Sequence, residues 1–337
     1  MRQPKGFAII GFFVLILVIV AIIIFLNVKQ DRNELQTMIQ LKYGSGRLPL
    51  EAPVHVAKSK AYFQQEGLNL DLKIYPDGKS ALQALLDGEV EMATIMATPV
   101  VLQSFTRTDF TIVAVLDHNK FHSMIARKSS GITRPEELQG KTIGVTRGTS
   151  GEFFMYSFLI SHNLLPDELH PIYMKGPALV EAIAAGKIDA MFSWVPYIPE
   201  AKRKLGSDGV IFKSEKLVHP SWLFVTSQSF AEHNQSTMIA FLTAVQKGIS
   251  FVKQNPDEAL RLHSRVANVD PEIIRQRFIN MHFNLSLRQS LLIELERQAR
   301  WLIDRDYVEQ TDLPNFLDII HADALSALKP NSVTIIR

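Results

Sequence analysis

The sequence predicts an α/β protein of two similar lobes behind one apolar N-terminal helix, and three observations carry that expectation. Strand-like and helix-like segments alternate from residue 35 to about residue 212, the pattern of parallel sheets connected by helices. One group of signals then occurs twice, as ALQALLDGEVEMATI from Ala81 and ALVEAIAAGKIDAMF from Ala178. Residues 7–26, FAIIGFFVLILVIVAIIIFL, carry no charge at all. The 337 residues suffice for one large or two medium domains with a substantial core.

The apolar run corresponds to about 30 Å of helix, one bilayer core, so residues 7–26 read as a transmembrane anchor in the lipid bilayer. Residues 1–6 then read as a short N-terminal segment before the span and residues 27–34 as a linker. A cleaved signal peptide is the rival reading, but its apolar region is usually about 7–15 residues and ends in small residues. Asn27, Val28, Lys29 and Gln30 offer no such site. Arg2 and Lys5 before the run balance Lys29 and Arg32 after it, so basic residues alone do not orient the segment.

Beyond the linker, Leu35, Thr37, Ile39, Leu41 and Tyr43 alternate as a first strand. Leu68 to Tyr75 reads as a strand, Ser80 to Leu86 as an amphipathic helix ended by Asp87 and Gly88, and Val90 to Met96 as a buried strand. The second set runs from Ser123. Lys141 to Thr146 is a strand, Gly148 to Gly151 a turn, Glu152 to His162 a helix, Ala178 to Ala185 a helix stopped by Gly186, and Ile188 to Trp194 a strand. From Ser229 onward helical patterns dominate, with breaks at Asn255–Pro256, Asp270–Pro271 and 284–286. No Pro-rich or low-complexity linker divides the body, which predicts interwoven lobes.

Composition excludes several function classes. Lys plus Arg at 36 against Asp plus Glu at 34 gives a net charge of +2, too balanced to signal a nucleic-acid partner. No cysteine is present, which removes thiol nucleophiles, Cys-ligated zinc, iron–sulfur clusters, disulfides and a lipoprotein cysteine. The ten histidines form no HExxH motif, and no metal site or cofactor is expected. Gly140, Lys141 and Thr142 look like the end of a phosphate loop, yet Pro135 stands where its first glycine belongs. No spacing singles out a catalytic triad, so catalytic residues are not assigned.

Several blocks, in order, carry a resemblance: APVHVAKSKAYFQQEG from Ala52, GKSALQALLDGEVEMATIMATP from Gly78, and GITRPEELQGKTIGVTRGTSG from Gly131. They continue with VEAIAAGKIDAMFSWVPY from Val180, FVTSQSF from Phe224 as a return strand, and the tail from Asp312 to Pro330. Together they resemble the periplasmic substrate-binding proteins of nitrate, sulfonate, taurine and thiamine-precursor ABC transporters. The resemblance implies a type II periplasmic-binding-protein fold: two doubly wound lobes, joined by two crossings, with a ligand cleft between them. On that basis lobe 1 comprises 35–118 and 218–337, lobe 2 comprises 119–217, and the body sits outside the cytoplasmic membrane. Two departures stand out. Val195 replaces the acidic residue common between Trp and Pro of the second-lobe motif, and a permanent anchor is atypical.

Open α/β sheets bind ligands beyond the carboxyl ends of their strands. In lobe 2 this selects Arg147, Gly148, Thr149 and Ser150, where glycine permits close backbone approach and hydroxyls and amides at a helix start suit a polar or anionic group. An ordinary helix cap is the competing explanation, and Arg147 could equally face solvent. In lobe 1 the rule selects Ser45, Tyr75, Asp77, Thr94 and Thr98, with Thr98 expected as an N-cap before Pro99 and Asp77–Gly78 alternatively a turn. Trp194 offers an aromatic face. His118 lies near the first crossing, and His219, Ser221 and Trp222 near the second.

These features predict a membrane-anchored solute receptor that closes over a small organic anion or heterocycle, of sulfonate, nitrate or pyrimidine-like class. It would deliver this solute to an ABC permease with its ATPase. An enzyme on the same fold and a ligand sensor are the alternatives. Pyrimidine-forming relatives use a Cys-rich motif absent here, and residues 1–6 are too short for a signalling output domain.

Overall fold

The computed structural model describes residues 38–117, 122–165, 169–213, 220–279 and 281–336. The expected anchor at 7–26 and linker at 27–34 lie outside these residues, as do His118 and His219. No helix among the described residues is long and apolar enough to cross a membrane.

Among the described residues, ten strands form two five-stranded sheets. β1 (Ile39–Ser45), β2 (Leu68–Ile74), β3 (Met92–Met96), β4 (Phe110–Asp117) and β10 (Trp222–Ser227) make the first, in the order β2-β1-β3-β10-β4. β5 (Ser123–Arg127), β6 (Thr142–Val145), β7 (His170–Tyr173), β8 (Ala190–Ser193) and β9 (Gly209–Phe212) make the second, in the order β7-β6-β8-β5-β9. The sheets share one plan. The first strand of each parallel trio pairs in parallel with two neighbours, and one strand inserted at the fourth place runs antiparallel. The chain enters the second sheet after β4 and returns in β10. This is the α/β two-sheet periplasmic-binding-protein fold.

Ten helices of at least eight residues cover the sheets among the described residues: α1 (Ala52–Ser59), α2 (Gly78–Leu86), α3 (Ala97–Ser104), α4 (Ser150–Ser161), α5 (Gly176–Ala184), α6 (Tyr197–Leu205), α7 (Gln235–Gln254), α8 (Pro256–Ala267), α9 (Pro271–Phe278) and α10 (Gln289–Asp304). Because parallel strands are covered on both faces, β3 is buried at all five positions and reads as a continuous apolar run. The first sheet's core contains Tyr43, Phe224 and Phe241, whose rings meet with centroids 5.3–6.4 Å apart. The same core includes Phe153 of α4 and Trp194, so the two sheets meet through apolar contacts. Gly248 lets α7 cross α1 closely, since a Cβ there would lie 2.1 Å from the Pro53 carbonyl oxygen.

Three of the differences from the expected local starts have an identifiable partner or cap. The helix expected from Glu152 begins at Ser150, because Thr149 takes an extended conformation as its N-cap. The helix near Thr98 begins at Ala97 behind Met96, so Thr98 and Pro99 lie inside its first turn. The Ser221 carbonyl, far along the chain, accepts from the Ala97 N–H at 3.0 Å and so supplies a partner that no local side chain provides. The return strand is β10, from Trp222, and Phe224–Phe230 is not all strand: Ser227 caps a short helix by accepting from the Phe230 N–H.

Candidate functional site

A small cavity lies where the carboxyl ends of β1, β2 and β3 face those of β6 and β8. From the first sheet it is lined by Gly46, Arg47, Leu48, Leu50, the turn Pro76–Lys79, Thr94 and Met96. From the second sheet come His122, Thr149, Ser150 and Trp194, and Trp222 enters where the chain returns. Its free volume is about 40 Å³, room for about three waters at 10–15 Å³ each. The space accommodates a compact group.

Backbone geometry presents these groups. Asp77 is the N-cap of α2, with its Oδ1 accepting from the Ser80 N–H at 2.8 Å and the Ser80 hydroxyl at 2.9 Å. Gly148 has φ +69°, a left-handed conformation that brings its N–H to within 2.6 Å of the Glu152 Oε2. That bond folds the loop back onto α4 and presents Thr149 and Ser150 to the cavity. The Thr149 hydroxyl donates to the Thr146 carbonyl at 2.7 Å, while Ser150 Oγ is 2.9 Å from His122 Nε2. Gly151 is required for packing: a Cβ there would meet the Trp194 ring at 2.9 Å. Trp194 is thereby held against α4, with its ring edge-on to His122 at 6.2 Å and to Tyr197 at 5.8 Å.

Behind the first-sheet wall sits a buried acid. Glu51 is fully buried, and its Oε1 accepts from the Gly46 N–H at 3.0 Å and from the Thr94 hydroxyl. The Tyr43 hydroxyl donates to Thr94 Oγ1 at 3.0 Å and lies 3.3 Å from Glu51 Oε2. Burial pushes the Glu51 carboxyl up to about 7, and burial followed by the Glu51 charge pushes the Tyr43 phenol well above its ordinary range. A second buried acid, Glu294 of α10, accepts from the Ser221 N–H at 2.7 Å and the Ser221 hydroxyl at 2.5 Å, and burial also raises it to about 7. Gln298 joins it at 3.2 Å and accepts from the Thr98 hydroxyl. Glu294 thus ties the returning chain beside Trp222 to α3.

The residues selected from the sequence divide accordingly. Asp77, Thr94, Thr149, Ser150 and Trp194 line the cavity. Ser45 is buried behind it, 2.9 Å from His55 Nε2, and Thr98 is turned to Gln298. Tyr75 points to Glu89, 3.4 Å away. Arg147 is exposed and lies 5.4 Å from the ring centroids of both Tyr173 and Tyr307, and Gly148 shapes the loop without lining the cavity. Val195 is buried in a core cluster with Ala52 and Val56. Arg47, Lys79 and His122 were not selected. Arg47 follows a GSG turn and Lys79 follows Asp77–Gly78, so the loop-end rule carried two residues further would reach both.

The charged groups in the lining are two exposed cations and one carboxylate. Arg47 and Lys79 are the cations, and among the described residues neither is held in an ion pair. Asp77, the carboxylate in the lining, already serves the α2 cap. Ser150 and Trp194 from the second sheet and Thr94 and Trp222 from the first complete a lining that mixes hydroxyls with indoles, and the Thr94 hydroxyl is already held by Glu51 and Tyr43.

A family model described as "NMT1/THI5 like" matches residues 49–259. The chain belongs to the NMT1/THI5-like family. Within it, the chain is 24% identical over 229 residues to the putative aliphatic sulfonates-binding protein of Bacillus subtilis (strain 168), covering 66% of this chain and 69% of that one. It is 22% identical over 227 residues to the taurine-binding periplasmic protein of Escherichia coli (strain K12), covering 64% and 68%. In fold it is similar to the alkanesulfonate-binding protein SsuA from Xanthomonas axonopodis pv. citri bound to MOPS. The TM-score is 0.75 at 16% identity, over 84% of this chain and 98% of that one. All three are binding proteins by name, and the resemblance stated from the sequence blocks is to the same family.

Proposed function

We propose that this chain is the solute-binding component of an ABC importer and that its solute is a small organic sulfonate. The observation that carries the reading is the compact cavity between the two sheets, whose lining includes the Arg47 and Lys79 cations, the Ser150 hydroxyl and the Trp194 and Trp222 rings. A sulfonate head is a compact anion with three acceptor oxygens, which suits the cations and the Ser150 hydroxyl; its carbon neighbour suits the indoles. The sulfonate and taurine names of the family relatives support the same class.

The sheets serve as two lobes, 35–118 with 218–337 and 119–217, that close on the solute because only the closed state lets both contact it. Residues 7–26 tether the receptor to the inner membrane with its body outside the cytoplasm, raising its effective concentration near the permease and its ATPase.

The test is calorimetric titration and thermal unfolding of the full-length chain with alkanesulfonates, taurine, nitrate and inorganic phosphate. A sulfonate at one hundred times its dissociation constant stabilises by about 2.7 kcal/mol. Binding of nitrate or phosphate without any sulfonate overturns the assignment of class; silence from all four overturns the anion reading.

A further inference from the structure

Outside the cavity, one residue of the C-terminal segment grips the loop that presents Thr149 and Ser150. Tyr307 meets the chain on both sides of those two residues. Its hydroxyl donates to Glu152 Oε1 at 2.5 Å, and its ring centroid lies 5.4 Å from the Arg147 guanidinium, which is equally close to the Tyr173 ring. Glu152 is fully buried, and its other oxygen, Oε2, accepts from the Gly148 N–H at 2.6 Å. One carboxylate is thus divided between the loop and Tyr307. Arg147, Glu152 and Tyr307 all lie outside the cavity lining.

Tyr307 stands on a fixed base. Asp306, at φ +53°, closes the end of α10: the Asp306 N–H donates to the Ile303 carbonyl at 3.1 Å and the Tyr307 N–H to the Leu302 carbonyl at 2.9 Å. α10 itself holds both halves of the molecule with neighbouring stripes of side chains, each spaced by four residues. Glu294 and Gln298 bind Ser221 and Thr98 on the side of the first sheet. Arg297, Trp301 and Arg305 face α4 of the second. Arg297 lies 5.4 Å from the Phe153 ring, Trp301 5.3 Å from Phe153 and 5.7 Å from Tyr156, and Arg305 4.7 Å from Tyr156. The Trp301 ring also packs on Tyr307, with centroids 5.4 Å apart.

We infer that α10 and Tyr307 form a strap that sets the solute-binding loop, with Tyr307 a positioning residue that acts through Glu152 and Arg147 without touching the solute. This rests on the cavity being the solute site, as proposed above, and is independent of the solute's class. Without the Tyr307 hydroxyl, Glu152 Oε1 is a buried charged oxygen short of a donor, and the carboxylate turns to find another. Oε2 belongs to the same rigid group, so the Gly148 N–H loses its aligned acceptor and the left-handed turn loses its tie to α4. A solute must then order Thr149 and Ser150 at the cost of its own affinity.

Hydrogen exchange of the full-length chain, followed by mass spectrometry without added anion, compares the natural sequence with Tyr307→Phe and Gly248→Ala. The first keeps the ring and removes only the hydroxyl; the second strains the contact of α7 with α1 and serves as a destabilised control. Amides of residues 147–152 are expected to exchange at least about tenfold faster in Tyr307→Phe and at the natural rate in Gly248→Ala. Titration follows with ethanesulfonate, taurine, nitrate and inorganic phosphate. Those that bind the natural sequence are expected to bind Tyr307→Phe about tenfold more weakly and Gly248→Ala within about twofold. Loop exchange unchanged in Tyr307→Phe, or a loss of affinity matched by Gly248→Ala, overturns the positioning role. Faster exchange with undiminished affinity overturns its link to the solute. Silence of the natural sequence toward all four anions removes the functional reading above, while the exchange comparison still decides whether the strap fixes the loop.

Discussion

Glu51 makes stability depend on pH in a way that one substitution isolates. Its carboxyl, ordinarily near 4.5, is raised to about 7 by burial in the wall behind Thr94 and Gly46. A carboxyl raised in the folded state keeps its proton after the unfolded chain has released it. Its contribution is therefore complete below about 4.5 and lost as pH rises through about 7. A difference of about 2.5 pH units at about 1.36 kcal/mol each amounts to roughly 3 kcal/mol. Glu294 adds a second effect of the same sign.

His55 and His263, stacked in the same core with ring centroids 4.9 Å apart, act oppositely. Burial holds His55 well below its ordinary 6.5, and holds His263 down to about 3. Their contribution is complete above 6.5 and lost on acidification. Between about 4.5 and 6.5 the carboxyl and imidazole trends offset, and above 6.5 only the carboxyl trend remains. Glu51→Gln retains an acceptor for the Gly46 N–H and removes the proton. Urea unfolding of the full-length chain is expected to show the variant gaining roughly 3 kcal/mol on the natural sequence between pH 4.5 and pH 8. A difference that stays constant across that range would refute the assignment of a buried, titrating Glu51.

Other substitutions probe separate parts of the molecule. Gly248→Ala forces a methyl onto the Pro53 carbonyl and is expected to cost about 1–3 kcal/mol or more in urea unfolding, because backbone on both sides must give. Tyr307→Phe removes the 2.5 Å hydrogen bond to Glu152 Oε1, leaving a fully buried carboxylate one donor short; a loss of about 1–3 kcal/mol in the same assay is expected. Thr149→Ala with Ser150→Ala, and separately Trp194→Ala, are expected to weaken sulfonate binding about tenfold or more by calorimetry while leaving the circular dichroism spectrum unchanged. Unchanged affinity in both would move the site elsewhere.

The elements were legible in the sequence wherever the signal was local. The expected strands fell on β2, β3, β6 and β8 to within a few residues, because β3, β6 and β8 are buried at nearly every position and leave short apolar runs while the edge strand β2 alternates leucines with polar residues. Gly88 and Gly186, both at positive φ, mark the ends of α2 and α5 as expected. Missed features depend on distant partners. Thr98 reads as a cap, but the carbonyl of Ser221 supplies the bond, and Thr98 turns to Gln298 on α10 instead. Ser45 lies at a strand end, as the loop rule requires, yet His55 draws its hydroxyl into the core. His122 carries no local signature, since its role at the site is set by Ser150 and Trp194 meeting it across the second sheet. Glu51, in an otherwise apolar LPLEAPV stretch, shows its acid only as an interruption.

The position of β10 has a consequence for how the chain is made. All five strands of the second sheet lie within residues 123–212, whereas the first sheet needs residues 222–227 to fill the place between β3 and β4. On a ribosome that emits residues in order, the earlier half waits with two bare hydrogen-bonding edges while the later half is completed. Those edges are natural attachment points for other strands, so the half-made molecule is its most aggregation-prone form until the keystone strand arrives.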